Sequence, residues 1–142
     1  MQLAPVIARI ADKMPGLRQV TVAASLPLAI AALKTFPAAC VFMPRGKAGA
    51  NSLVNAVNQS VEDSFVVILA ARNVQDMHGM AAAAELDALK PALIAGLLGW
   101  TFDVTYAPIE YAGYQLLHYQ DGLMLWSEHF STQHYVRAVG SQ

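Results

Sequence analysis

The stretch IEYAGYQLLHYQDGLMLWSEHFSTQHYV, Ile109 to Val136, decides the fold. Two runs rich in apolar and aromatic residues flank Asp121-Gly122, a pair whose tolerance of positive φ favours a two-residue type I′ turn. The pattern predicts a hairpin with arms Ile109–Tyr119 and Leu123–Val136. A tight turn would set its register, with Leu117 facing Trp126, Tyr119 facing Met124 and Tyr114 facing His129. Arms of this length are long for a chain of 142 residues. The hairpin is therefore expected to reach beyond its own core, towards a neighbour.

Working outward, Met80–Leu98 carries Leu86, Leu89, Leu93 and Leu97 at steps of three and four, with Ile94 and Leu98 beside them, which predicts a long helix. Glu85, Asp87 and Lys90 fall on its other faces. Pro91 removes one hydrogen bond and should kink or split the helix. Gly99 is a natural left-handed stop before Trp100. Upstream, Phe65-Val66-Val67-Ile68-Leu69-Ala70 is uninterrupted and apolar, as in a central strand covered on both faces.

Nearer the N-terminus, Leu3–Met14 alternates Val6, Ile7 and Ile10 against Arg9, Asp12 and Lys13, an amphipathic helix stopped by Pro15-Gly16. Val20 and Val22 mark a brief strand. Ser25 can cap a helix from Leu26 to Leu33, with Pro27 in its first turn. Ala39–Met43 predicts a short strand closed by Pro44. Arg45–Asn51 has no core-forming side chain and is expected as a loop, as is Arg72–Gly79. Together these elements predict an α+β fold, in one domain spanning residues 1–142. Its sheet is largely antiparallel (mixed) with a long C-terminal hairpin, flanked by two or three helices including one long one.

Composition limits the function. Hydrophobic residues make up 56% and charged residues 13%, about half the share in ordinary soluble domains. That leaves apolar surface in want of a partner, which predicts self-association. Nine basic against ten acidic residues give a net charge of −1, and no basic run occurs. A dedicated nucleic-acid binder would need clustered Lys and Arg. A single cysteine, Cys40, excludes an internal disulfide framework and a cysteine-based zinc site. Its expected place is a small buried hydrophobe at a strand start.

The mean hydropathy of +0.39 invites a membrane reading. The longest uncharged run, Gln19 to Leu33, contains Pro27 and is too short to span a bilayer. Pro37-Ala38-Ala39-Cys40 imitates a lipoprotein signal, but Asp12 and Lys34 interrupt that pattern, so no leader and no membrane partner is expected.

Residues able to carry chemistry do not assemble into a site. Gly46-Lys47 resembles a phosphate loop faintly, yet Ala48 stands where a hydroxyl should bind Mg²⁺ and Val41 where a glycine should be. His129 and His134, five apart on a strand, point to opposite faces, and His118 lies on the other arm. Glu62 and Asp63, adjacent on a strand, diverge, and are expected at a solvated strand entry. Glu110 is expected to meet a cation such as Arg72 or Arg45. The aromatics Phe102, Tyr106, Tyr111, Tyr114, Trp126, Phe130 and Tyr135 lack basic interleaving, as in a core or interface and not a base-stacking platform. No catalytic residue, metal ligand or cofactor site follows. Arg45, Lys47 and Asn51 of the expected loop, with Trp126, His129 and Phe130 of the hairpin, are the candidate interface residues.

Several of these segments resemble the tail terminator family of long-tailed phages and Mu-like prophages. They are Val41-Phe42-Met43-Pro44-Arg45-Gly46 closing at Asn51, then Gln59, Val61, Phe65 and Val67 to Asn73. Leu97-Leu98-Gly99-Trp100, Pro108-x-Glu110-Tyr111-x-Gly113, Asp121-Gly122-x-x-x-Trp126 and Phe130-x-Thr132 follow in order, from Ala38 to Arg137. Pro91 departs from the family pattern. The resemblance implies a structural role and no enzymatic one. Such a protein forms a ring, usually hexameric, on the head-proximal end of the tail tube, stops tube polymerisation and offers a surface to head-completion (neck) proteins. DNA passes through the lumen without specific binding. The implied location is the virion tail, and the bacterial host cytoplasm during assembly. Another neck or tail-completion protein is an alternative, and a small enzyme or ligand-binding domain with an unrecognised site is a third reading.

Overall fold

The computed structural model describes residues 1–75 and 78–139. The elements run α1 (Ala4–Lys13), β1 (Gln19–Ala23), α2 (Leu26–Ala32), β2 (Ala38–Phe42), β3 (Arg45–Ala48), β4 (Ala56–Arg72), α3 (Met80–Leu97), β5 (Glu110–Gln120) and β6 (Leu123–Val139). The fold is α+β, with a six-stranded mixed sheet in the order β1-β2-β4-β6-β5 and β3 also paired to β4. β1 runs parallel to β2; every other pairing is antiparallel.

Local chemistry explains the element ends. Val6 and Ile10 bury one stripe of α1, and the Met14 N–H closes its last turn on the Ile10 carbonyl. Ser25 caps α2 by accepting from the Leu28 N–H. Asp121 (φ 53°) and Gly122 (φ 74°) both occupy the left-handed region that a type I′ turn requires.

β4 organises the core. Its apolar run is covered on both faces, as expected. Phe65, Val67 and Leu69 face α1 and α3, joined there by Leu86, Leu93, Leu97 and Phe130. Ile68 and Ala70 face α2, with Ala29, Leu33, Cys40, Leu123 and Leu125. Phe65 and Phe130 are partners across the β4–β6 ladder, and their rings stack with centroids 5.5 Å apart. No helix among the described residues is long and apolar enough to cross a membrane.

Three expectations need correction. Arg45–Ala48 is a strand and not a loop, because its backbone ladder to residues 61–64 of β4 needs no core-forming side chain; all four residues are exposed. The hairpin register holds at Tyr119↔Met124 and then slips, since bulges place Leu116 opposite Trp126 and Gly113 opposite His129. Of the two outcomes expected at Pro91, a kink or a split, the split does not occur: α3 runs unbroken through it. Both Pro91 and Asp87, whose carbonyl loses its usual partner, are exposed, so water can satisfy that group.

Beyond Phe65 and Phe130 the two longest strands continue together. Residues 56–63 pair with residues 132–139, and β3 borders the end nearest the body. None of the apolar side chains of this extension belongs to either core cluster. It projects as a ribbon.

Candidate assembly surfaces

A buried charge ties α3 to the hairpin. Glu128 is fully buried; the Tyr111 hydroxyl donates to its Oε2 at 2.6 Å, and Lys90 Nζ lies 3.6 Å from its Oε1. The Lys90 ammonium also stands 3.3 Å from the Tyr114 ring centroid and 5.6 Å from that of Trp126, and these two rings stack at 5.2 Å. Burial, reinforced by the Glu128 carboxylate, pushes the Tyr111 phenol well up, so it remains a protonated donor. Lys90 therefore serves the interior as well as the helix surface. Sequence reading passed over Glu128, yet the signal was there: it shares strand parity with Trp126 and Phe130, which places it on the core face.

A second polar cluster holds the 98–109 segment against the sheet. Asp63 and His134 Nδ1 are hydrogen-bonded at 2.5 Å, and the Tyr106 ring lies 4.7 Å from the imidazole. Thr132 Oγ1 donates to the Ala107 carbonyl, and the Ala107 N–H donates to Gln133 O. Burial first, then Asp63 and Asp103, raises the Tyr106 phenol. Only Glu62 of the adjacent carboxylates is solvated; Asp63 is 5% exposed and partnered.

The interface candidates do not converge. Arg45 and Lys47 are exposed on β3, on the same sheet face as Glu62 and Ser64, their ladder partners. Asn51 closes the turn at 49–55: its amide donates to the carbonyls of Leu53 and Ala56 and accepts from the N–H groups of Leu53 and Asn58. Trp126 is half-buried against Tyr114. Phe130, expected at an interface, is 1% exposed in the core, because its strand parity turns it towards Phe65. Glu110 pairs with neither Arg72 nor Arg45 among the described residues; Arg72 lies instead over the Phe36 ring.

His129 Nε2 is 2.9 Å from Ser127 Oγ. That hydroxyl is buried and donates to the Gln115 carbonyl at 3.1 Å. It thus accepts from the imidazole, the reverse of an activated nucleophile. The open concavity of about 470 Å³ beside Glu62 and Glu110 is edged by Pro108, Ile109 and Gln133. Among the described residues no three of His, Cys, Asp or Glu come together as metal ligands.

A family model described as phage tail terminator protein matches residues 1–141, including the N-terminal third in which the resemblance had few motifs. A search of the curated proteins gives no match.

Proposed function

The chain belongs to the phage tail terminator family, structural proteins of the phage tail and not enzymes, and from that premise we propose that its copies close into a ring, six to a turn, on the head-proximal end of the tail tube. The ring stops tube polymerisation and presents the surface on which a head-completion protein docks. DNA passes through its lumen. The family match over residues 1–141 is the observation that carries this reading.

Physical features support it. A chain with 13% charged residues leaves surface that subunit contacts can cover. A net charge of −1 suits a channel that must let DNA slide. In a closed ring each copy offers one patch and accepts another, and each contact should bury more than about 1,000 Å². Arg45 and Lys47 on β3, with Trp126 and His129 of the hairpin, are the proposed contact residues.

Native mass spectrometry of the purified protein, alone and with tail tubes, tests the ring. A mass of six copies in either setting is expected. Monomers alone that also fail to bind tubes would overturn it.

A further inference from the structure

The ribbon has a definite polarity. Its cations, Arg45 and Lys47 on β3 and Arg137 on β6, are exposed and pair with no carboxylate among the described residues. Arg137 is aimed by its Nε donating to Asn58 Oδ1 and by the Tyr135 ring beneath it. Glu62, the ladder partner of Lys47, is the exposed carboxylate on that face and leaves the three cations in excess. Apolar side chains lie beside them, with Leu53 49% exposed, Val54 96% and Val136 49%.

The helical layer carries the opposite sign at the opposite end. The C-terminus of α3 is at the ribbon side, since the Gly99 N–H donates to Ile109 O and Ala107 bonds Gln133. Its N-terminus is at the hairpin turn, where Gly79 lies against Met124 and Tyr119. Glu85 and Asp87, in the N-terminal half, are exposed and without an ion-pair partner among the described residues.

We propose that the ribbon of one copy is gripped by the next copy, its cations Arg45, Lys47 and Arg137 meeting Glu85 and Asp87 on the neighbour's α3. The surfaces are unlike and lie at opposite ends of one chain, which is what a head-to-tail contact needs. Area agrees. Eight residue pairs reach about 26 Å. One face then offers about 300 Å²; the 49–55 turn and the part of the other face beyond the 98–109 segment add to it, towards the roughly 800 Å² per partner of a stable interface. One alternative route, edge-to-edge strand pairing through β5, is blunted by two bulges and by Gly113 at φ 128°.

This inference rests on the ring reading, and charge reversal separates the two. The ribbon-reversed chain (Arg45→Glu, Lys47→Glu, Arg137→Glu) and the helix-reversed chain (Glu85→Lys, Asp87→Lys) should each need about a hundredfold higher concentration to associate. All five residues are exposed, so circular dichroism and unfolding midpoints should stay near wild type. Mixing the two variants one to one, or combining all five changes in one chain, should restore the wild-type oligomer. Sedimentation velocity reads all four samples, with tail tubes added if the wild-type chain needs them to assemble. Wild-type association of the ribbon-reversed chain would overturn the proposal and leave the ring standing. If that chain forms rings but no longer binds tubes, the ribbon belongs to the tube and the proposal is likewise overturned. A weakening that neither the mixture nor the five-fold chain reverses would also contradict it, because the two surfaces would then not meet.

Discussion

Lys90 Nζ stands 3.6 Å from Glu128 Oε1 and 3.3 Å from the Tyr114 ring centroid, so one cation on α3 answers a fully buried carboxylate and an aromatic face of β5. Removing that cation strands the charge. Lys90→Ala should cost about 3 kcal/mol, the usual penalty for breaking a buried pair from one side. The double change Lys90→Met with Glu128→Gln should recover most of it, since the amide oxygen still accepts from Tyr111. Urea unfolding midpoints decide the matter. A Lys90→Ala midpoint equal to wild type would show that the pair holds nothing.

Gly122 closes the hairpin against the start of the loop that follows β4. A Cβ there would stand 2.3 Å from the Asn73 carbonyl oxygen and 2.8 Å from Val74 Cα, on a backbone at φ 74°. Gly122→Ala should therefore destabilise by about 2 kcal/mol or more. Gly16→Ala, where a Cβ meets nothing within 4 Å, should be nearly neutral. Thermal unfolding of the two variants side by side checks the contrast; equal midpoints would mean the turn is mispositioned.

Trp126→Ala removes a ring stacked on Tyr114 and close to Lys90. It should lower stability by about 2–3 kcal/mol, and it should weaken assembly as well if its outer edge meets a neighbour. Unchanged stability together with unchanged oligomeric mass would refute this placement.

Cys40 is fully buried in β2, and burial pushes its thiol from an ordinary 9.0 up to about 11. The folded chain thus holds the thiol proton more tightly than the unfolded chain. Its contribution to stability is complete below pH 9 and is lost as the pH rises through 11. At pH 8 iodoacetamide should leave the native protein unmodified and label it fully in urea, read by intact mass. Rapid labelling of the native protein would place Cys40 at the surface.

Much of this fold was legible because its elements are periodic and well punctuated. The leucine steps of α3, the Ser25 cap, the Asp121-Gly122 turn and the six-residue apolar run of β4 each specify local structure through one dominant cause. What stayed hidden depends on partners distant in sequence. β3 owes its existence to a ladder with residues 61–64 and leaves no apolar trace. The bulges of β5 each insert a residue that has no partner across the ladder, which residue alternation does not encode. Asp63 and His134 lie 71 residues apart, and no spacing rule joins them. The exposure of Arg45 and Lys47 is legible in the sequence, but the strand that carries them is not. Aromatic character alone points Phe130 to an interface; its parity with Trp126 and Glu128 puts it in the core.

Tube length tests most directly whether this chain terminates tail tubes. Tube protein is polymerised with and without the purified chain, and tubes are measured by negative-stain electron microscopy. Termination predicts shorter tubes as the chain is added, each with a ring of extra density at one end only. Tubes of unchanged length with bare ends, at a concentration where the chain is folded and in excess, would contradict it.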